Sequence, residues 1–143
     1  MRIVKSVYAG SGLYPSKIES GVGHLMVDLE NYTSQIIKSL HIPGSSSKLR
    51  GNLRNAISGL KNYEQDFFVR LISFGRSLRI LVDSSRAMNE EIVNRIENPM
   101  RYLVKTYSHI AYQTNHKEIT DTAQGLMKDV ADDPNEISFF TGY

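Results

Sequence analysis

Between Leu49 and Ile92 a single apolar stripe dominates the chain: Leu49, Leu53, Ala56, Leu60, Tyr63, Phe67, Leu71, Phe74, Leu78, Leu81, Ser85, Met88 and Ile92 recur at steps of four and three that alternate with almost no slip. A strand places every second residue on one face, so this spacing has no use in a sheet. On an α-helix it puts all thirteen positions along one seam. The seam predicts one very long amphipathic helix from Lys48 to Glu97, about 1.5 Å per residue and roughly 70 Å in all. Asn98-Pro99 is the first segment that favours a stop. A seam of that length cannot stay exposed in water, so a second surface has to cover it.

A first helix is predicted from Ser16 to Leu40, where Ile18, Val22, Leu25, Leu29, Tyr32 and Ile36 repeat the same four-three spacing. Pro15 and Ser16 supply its start, and Glu19 completes a capping box with Ser16. Gly21 and Gly23 weaken it, each by about 1 kcal/mol relative to alanine. His41-Ile42-Pro43-Gly44-Ser45-Ser46-Ser47 then reads as an exposed connection. The fold class that follows is all-α: a long antiparallel, coiled-coil-like hairpin over 16–97, preceded by an arm over 1–15, within a single domain over 1–143. The first helix covers only about half of the second.

Past the hairpin, Asn98 and Pro99 suit a cap and a first helical position, and Met100, Leu103, Tyr107 and Ile110 continue an apolar face. The pattern turns polar over Gln113-Thr114-Asn115-His116-Lys117 and resumes with Ile119, Ala123, Leu126 and Val130. Two shorter helices, or one kinked helix, are expected before Asp132-Asp133-Pro134-Asn135. The segment Ile137-Ser138-Phe139-Phe140-Thr141-Gly142-Tyr143 is aromatic. It reads equally as a docking tail or as a disordered end.

Charge and motifs narrow the function. The chain of 143 residues has 17 basic and 15 acidic side chains, a net charge of +2, and they are scattered with no basic stripe, so nucleic acid is not an expected partner. There is no apolar run long enough to span a bilayer and no signal-peptide core, which predicts a protein that is cytoplasmic before any export and exported, if at all, without a cleaved signal. Cysteine is absent. His24, His41, His109 and His116 lack the paired spacing of a metal site, and no cofactor or metal is expected. Gly10-Ser11-Gly12 lacks the third glycine and the lysine of a phosphate loop. No nucleophile elbow or carboxylate pair appears, so the expected mode of action is binding and not catalysis. Tyr63, Phe67, Phe68 and Phe74 lie on or beside the seam and read as core; Lys61, Arg70, Arg76 and Arg79 read as a solvated face.

A helix, a connection, Leu49-Arg50-Gly51 and then a heptad helix together resemble the helical hairpin of the WXG100 proteins and the LXG domains of bacterial type VII secretion. The resemblance spans about Ile3 to Glu97. It implies that Gly51 allows a tight turn between antiparallel helices, that Leu49 packs across the hairpin, and that the chain is the helical partner of an LXG-type effector and promotes its export. The family's export signal, an aromatic residue followed four positions later by an acidic one, is not present: Tyr63 meets Asp66 at three, and Tyr102, Tyr107 and Tyr112 meet Thr106, Ala111 and His116 at four. A companion chain would supply it. The predicted partner-binding residues are Leu49, Gly51, Leu60, Phe67, Leu71, Phe74, Leu78, Leu81, Met88 and Ile92, facing an effector's helical targeting domain or a second copy of the chain. A cytoplasmic adaptor, chaperone or immunity protein, and a self-associating structural coiled coil, are the alternative functions.

Overall fold

The structure is a computed structural model that describes residues 15–43, 46–61 and 66–131, with side chains described from residue 23 onward. These residues form five helices: α1 (Pro15–Ser39), α2 (Ser47–Lys61), α3 (Phe67–Ser85), α4 (Glu90–Thr114) and α5 (Lys117–Val130). The fold is all-α, as the periodicity predicts. Tyr63 and the aromatic tail after Asp132 lie outside the described residues.

The single helix expected over 48–97 is instead α2, α3 and the first turns of α4. Two breaks divide it. Asp66, just before α3, sits in the left-handed region with φ 57°, a conformation that a short polar side chain tolerates but an α-helix excludes. The second break runs from Arg86 to Asn89, where backbone amides of Arg86, Ala87 and Met88 bond only three residues back, to Asp83, Ser84 and Ser85. Asn89 then caps α4: its side-chain oxygen accepts from the Ile92 amide at 3.0 Å, and Glu90 and Glu91 complement the positive helix start.

Pro99, expected to begin a new helix, lies inside α4. Its fixed φ suits the helix, and the lost amide removes one internal hydrogen bond without ending the element. The polar stretch 113–117 does mark a break: Asn115 takes φ 53° and His116 is extended between α4 and α5. At the first connection, the Ser46 hydroxyl accepts from the Leu49 amide at 3.2 Å, so α2 starts ahead of Leu49-Arg50-Gly51.

Each of the first four helices packs on its sequence neighbour, and α1 closes the ring by packing on α4, its most extensive partner. α5 lies across α3 and α4. Cross-links fix the directions. Tyr32 meets Tyr102, and His24 acts electrostatically on His109, so α1 and α4 are antiparallel. Lys61 pairs with Glu30 at 2.8 Å while Arg50 donates to the Leu40 carbonyl at 3.0 Å, so α1 and α2 are antiparallel too. A long two-helix hairpin is thus replaced by a bundle of shorter helices, because the two breaks let the chain reverse and cover its own seam.

The core runs through the middle of this ring and under α5. Leu53, Leu60, Phe67, Leu71, Phe74, Leu78 and Leu81 are fully buried, against Leu29 and Ile36 from α1, Leu103, Tyr107 and Ile110 from α4, and Ile119, Ala123 and Leu126 from α5. Full burial of a large apolar side chain contributes about 1.5–3 kcal/mol. Among the described residues of α1, Thr33 is the polar side chain fully buried in this core, and it satisfies its hydroxyl on the Leu29 carbonyl at 2.7 Å.

Candidate binding surfaces

Leu49, Leu60, Phe67, Leu71, Phe74, Leu78, Leu81 and Ile92, expected to face a partner, are buried in the chain's own core. Met88, in the α3–α4 turn, is partly buried against the same cluster. The expectation that half the seam awaits an external cover is therefore corrected: α4 and α5 cover it. These side chains hold the fold together, and a partner reaches them only if the bundle opens.

Gly51 lies one turn inside α2, and a side chain added there would meet nothing within 4 Å. It makes no turn. The hinge role that the family resemblance implies for Gly51 does not match this placement, whereas Leu49, 4% exposed, does pack into the core.

What remains available to a partner is the outer surface. Across α1 and α4, the rings of Tyr32 and Tyr102 stack with centroids 5.5 Å apart and 27° between their planes. The Lys105 ammonium lies over the Tyr102 ring, 5.8 Å from its centroid. Tyr102 is half exposed, unusual for so large a ring on a helix that buries Leu103, Val104 and Tyr107. Near the same seam, burial and the neighbouring His24 both lower the pKa of His109.

A different surface joins α3 to α5. Arg79 reaches Asp83 within α3 and Asp129 of α5, and Arg86 flanks both carboxylates at 3.7 and 3.9 Å. Burial pushes the Arg79 pKa down, but the hydrogen bonds to Asp129 and Asp83 outweigh it and the net shift is upward. Every charge in this cluster has an opposite neighbour, so it reads as a clasp between helices and leaves nothing for a ligand to complete.

Between α2 and α3 lies an open groove of about 340 Å³, lined by Asn52, Asn55, Ala56, Ser73, Arg76, Ser77 and Ile80. It exists because short side chains, Ala56, Ser73 and Ser77, stand where larger ones would close the ridge between two antiparallel helices. Among the described residues its charged lining is Arg76 alone, with no carboxylate.

Among the described residues no group of three or more metal-ligating side chains comes together, and no helix is long and apolar enough to cross a membrane. No protein family, curated protein or solved structure matches this chain. Neither the tyrosine stack nor the groove has a sequence signal of its own: Tyr32 and Tyr102 are far apart in sequence, and the groove arises from the α2–α3 reversal that the unbroken seam concealed.

Proposed function

We propose that this chain is a helical binding partner of a larger protein, in the manner of the small proteins that accompany LXG-type effectors of type VII secretion, and that it binds with its bundle intact. The carrying observation is the stack of Tyr32 and Tyr102, which links two helices and leaves a large aromatic ring half exposed. Rigid aromatic side chains backed by a packed core are the typical energetic centres of protein interfaces, since they offer area with little rotamer freedom to lose. Lys105 adds a cation beside the ring. The partner class, a helical targeting domain, rests on the sequence alone, on the four-three apolar spacing and Leu49-Arg50-Gly51 that resemble the type VII hairpin proteins.

The test is a photo-crosslinking amino acid at position 102 in the native host, with the captured protein identified by mass spectrometry. A captured larger protein with a helical targeting region, whose export falls when this chain is deleted and when Tyr32 and Tyr102 are both changed to alanine, supports the reading. Export that is unchanged in both strains, with position 102 crosslinking to nothing, overturns it. The doubly substituted chain should keep its helical circular dichroism, because neither ring belongs to the fully buried core.

A further inference from the structure

The groove between α2 and α3 is a second surface with its own chemistry. Its walls carry two side-chain amides, Asn52 and Asn55, two hydroxyls, Ser73 and Ser77, one guanidinium, Arg76, and a small apolar floor from Ala56 and Ile80. Among the described residues no hydrogen bond engages the Asn52, Asn55, Ser73 or Ser77 side chains. Arg76 is loosely held: its side chain is 75% exposed and its contact with Glu118 of α5 is 3.9 Å, at the limit of an ion pair. Ile80, 45% exposed, offers an apolar surface on the same strip.

We propose that this groove binds an extended, acidic peptide segment of a partner protein. Two arguments select that occupant. Asparagine amides and serine hydroxyls reward a ligand whose own donors and acceptors are open; a helix has already spent its backbone groups internally, while an extended segment presents them at every residue. Asn52 and Asn55 are spaced about 4.5 Å along α2, and Ser73 and Ser77 about 6 Å along α3. Both intervals lie between the rise of one and of two residues of an extended chain, roughly 3.3 Å each. The second argument is charge: among the described residues the lining has one cation and no carboxylate, and Arg76 can take a ligand carboxylate in a two-pronged hydrogen bond that Glu118 does not complete. Asn52 and Asn55 then hold the peptide backbone, the hydroxyls complete it, and Ile80 packs against an apolar side chain beside the acidic one.

This site is separate from the tyrosine stack on α1 and α4, so its test stands apart from the proposed function. Isotope-labelled protein of the full sequence is titrated by NMR with a nine-residue peptide repeating Glu, Val and Ser, with the matching peptide that has Lys for Glu, with a short single-stranded RNA, and with free glutamate. Saturable binding of the acidic peptide, with amide shifts centred on Asn52, Asn55, Ser73 and Ser77 and suppressed by salt, supports the proposal. Arg76→Glu should weaken binding at least tenfold. The charge-preserving pair Asn52→Leu and Asn55→Leu should weaken it as well, which separates groove recognition from a general attraction to positive charge. Equal or tighter binding of the lysine peptide or the RNA, binding by free glutamate that matches the peptide, or an affinity untouched by both sets of substitutions overturns it. So does the absence of any saturable shift with the acidic peptide.

Discussion

Tyr107 fills the space that a side chain at Gly75 would need. The ring comes from α4, is fully buried, and donates its hydroxyl hydrogen to the Leu71 carbonyl of α3 at 2.7 Å. A carbon added at Gly75 would run into that hydroxyl, and into the Thr122 methyl of α5 at 2.9 Å. Three helices therefore meet at a glycine. Phe74 lies beside the same ring, with centroids 5.9 Å apart.

Gly75→Ala is expected to destabilise the bundle by about 1–3 kcal/mol, the range for overpacking a core, even though alanine is the better helix former. Urea denaturation followed by circular dichroism measures it. Adding Tyr107→Phe to Gly75→Ala should recover part of the loss, because the hydroxyl is the first atom in the way while the Thr122 contact remains. A double variant whose loss equals the sum of the two single losses would show that the hydroxyl does not occupy that space.

The same tyrosine is expected to make the protein's stability fall in alkali. Burial, with a smaller contribution from Glu118, raises the Tyr107 pKa well above its usual 10.0. Folded Tyr107 then keeps its proton where the unfolded chain has begun to lose it, so stability is whole below about pH 10 and falls as pH rises toward the folded pKa. Tyr107→Phe should lose about 1 kcal/mol at neutral pH with the hydrogen bond to Leu71, yet decline less steeply above pH 10. Unfolding curves from pH 7 to 11 for both proteins give the two slopes; parallel slopes would remove Tyr107 as the cause.

The sequence pattern carried the core and hid the topology, for one physical reason. Leu53, Leu60, Phe67, Leu71, Leu78 and Ile92 keep their four-three spacing through both breaks, so each helix turns its apolar side inward after the chain has reversed. Periodicity reports which face is buried and not whether the axis continues. A capping signal for the second break was legible, since Asn89 is followed by Glu90 and Glu91, but the unbroken seam outweighed it. The first break had no such mark: Asp66 in the left-handed region is a conformation that a residue type permits without announcing. The groove and the tyrosine stack depend on that reversal, which is why neither could be read before the fold was known.

Asn89→Ala separates the two topologies directly. In a continuous helix the change would be stabilising, by about 0.5 kcal/mol from helix propensity. At the start of α4 it removes the acceptor for the Ile92 amide, and a loss of about 1 kcal/mol is expected in the urea midpoint. A gain in stability would restore the long helix.

Leu78 and Arg79 are adjacent in sequence and opposite in consequence. Leu78 is fully buried, and Leu78→Asp places an unpaired charge in the core at a cost of several kcal/mol, so the variant is expected to lose its cooperative transition and cross-helix NMR contacts. Arg79 is about one third exposed and its partners Asp83 and Asp129 remain solvated without it. Arg79→Gln should cost no more than about 1 kcal/mol, shrinking further in high salt. A cooperative, native-like Leu78→Asp protein would mean that the seam is not the core.

Gly51→Ala tests what the Leu49-Arg50-Gly51 motif does in this chain. A glycine that makes a tight turn resists substitution, because a side chain strains the backbone it was chosen to permit. Inside α2 the position is open, with nothing within 4 Å of an added carbon, and α-helical backbone favours alanine. Gly51→Ala is therefore expected to stabilise the protein by about 0.5–1 kcal/mol, and the tyrosine stack on α1 and α4 should bind its partner as before. Leu49→Ala should do the opposite, losing about 2–5 kcal/mol, since Leu49 is 4% exposed within the core. Thermal or urea unfolding of the two variants, with crosslinking at position 102 as the binding readout, reads all three outcomes. If Gly51→Ala were destabilising by more than 1 kcal/mol, the glycine would hold a turn and not a helix, and the hairpin geometry implied by the family resemblance would take precedence over the bundle described above.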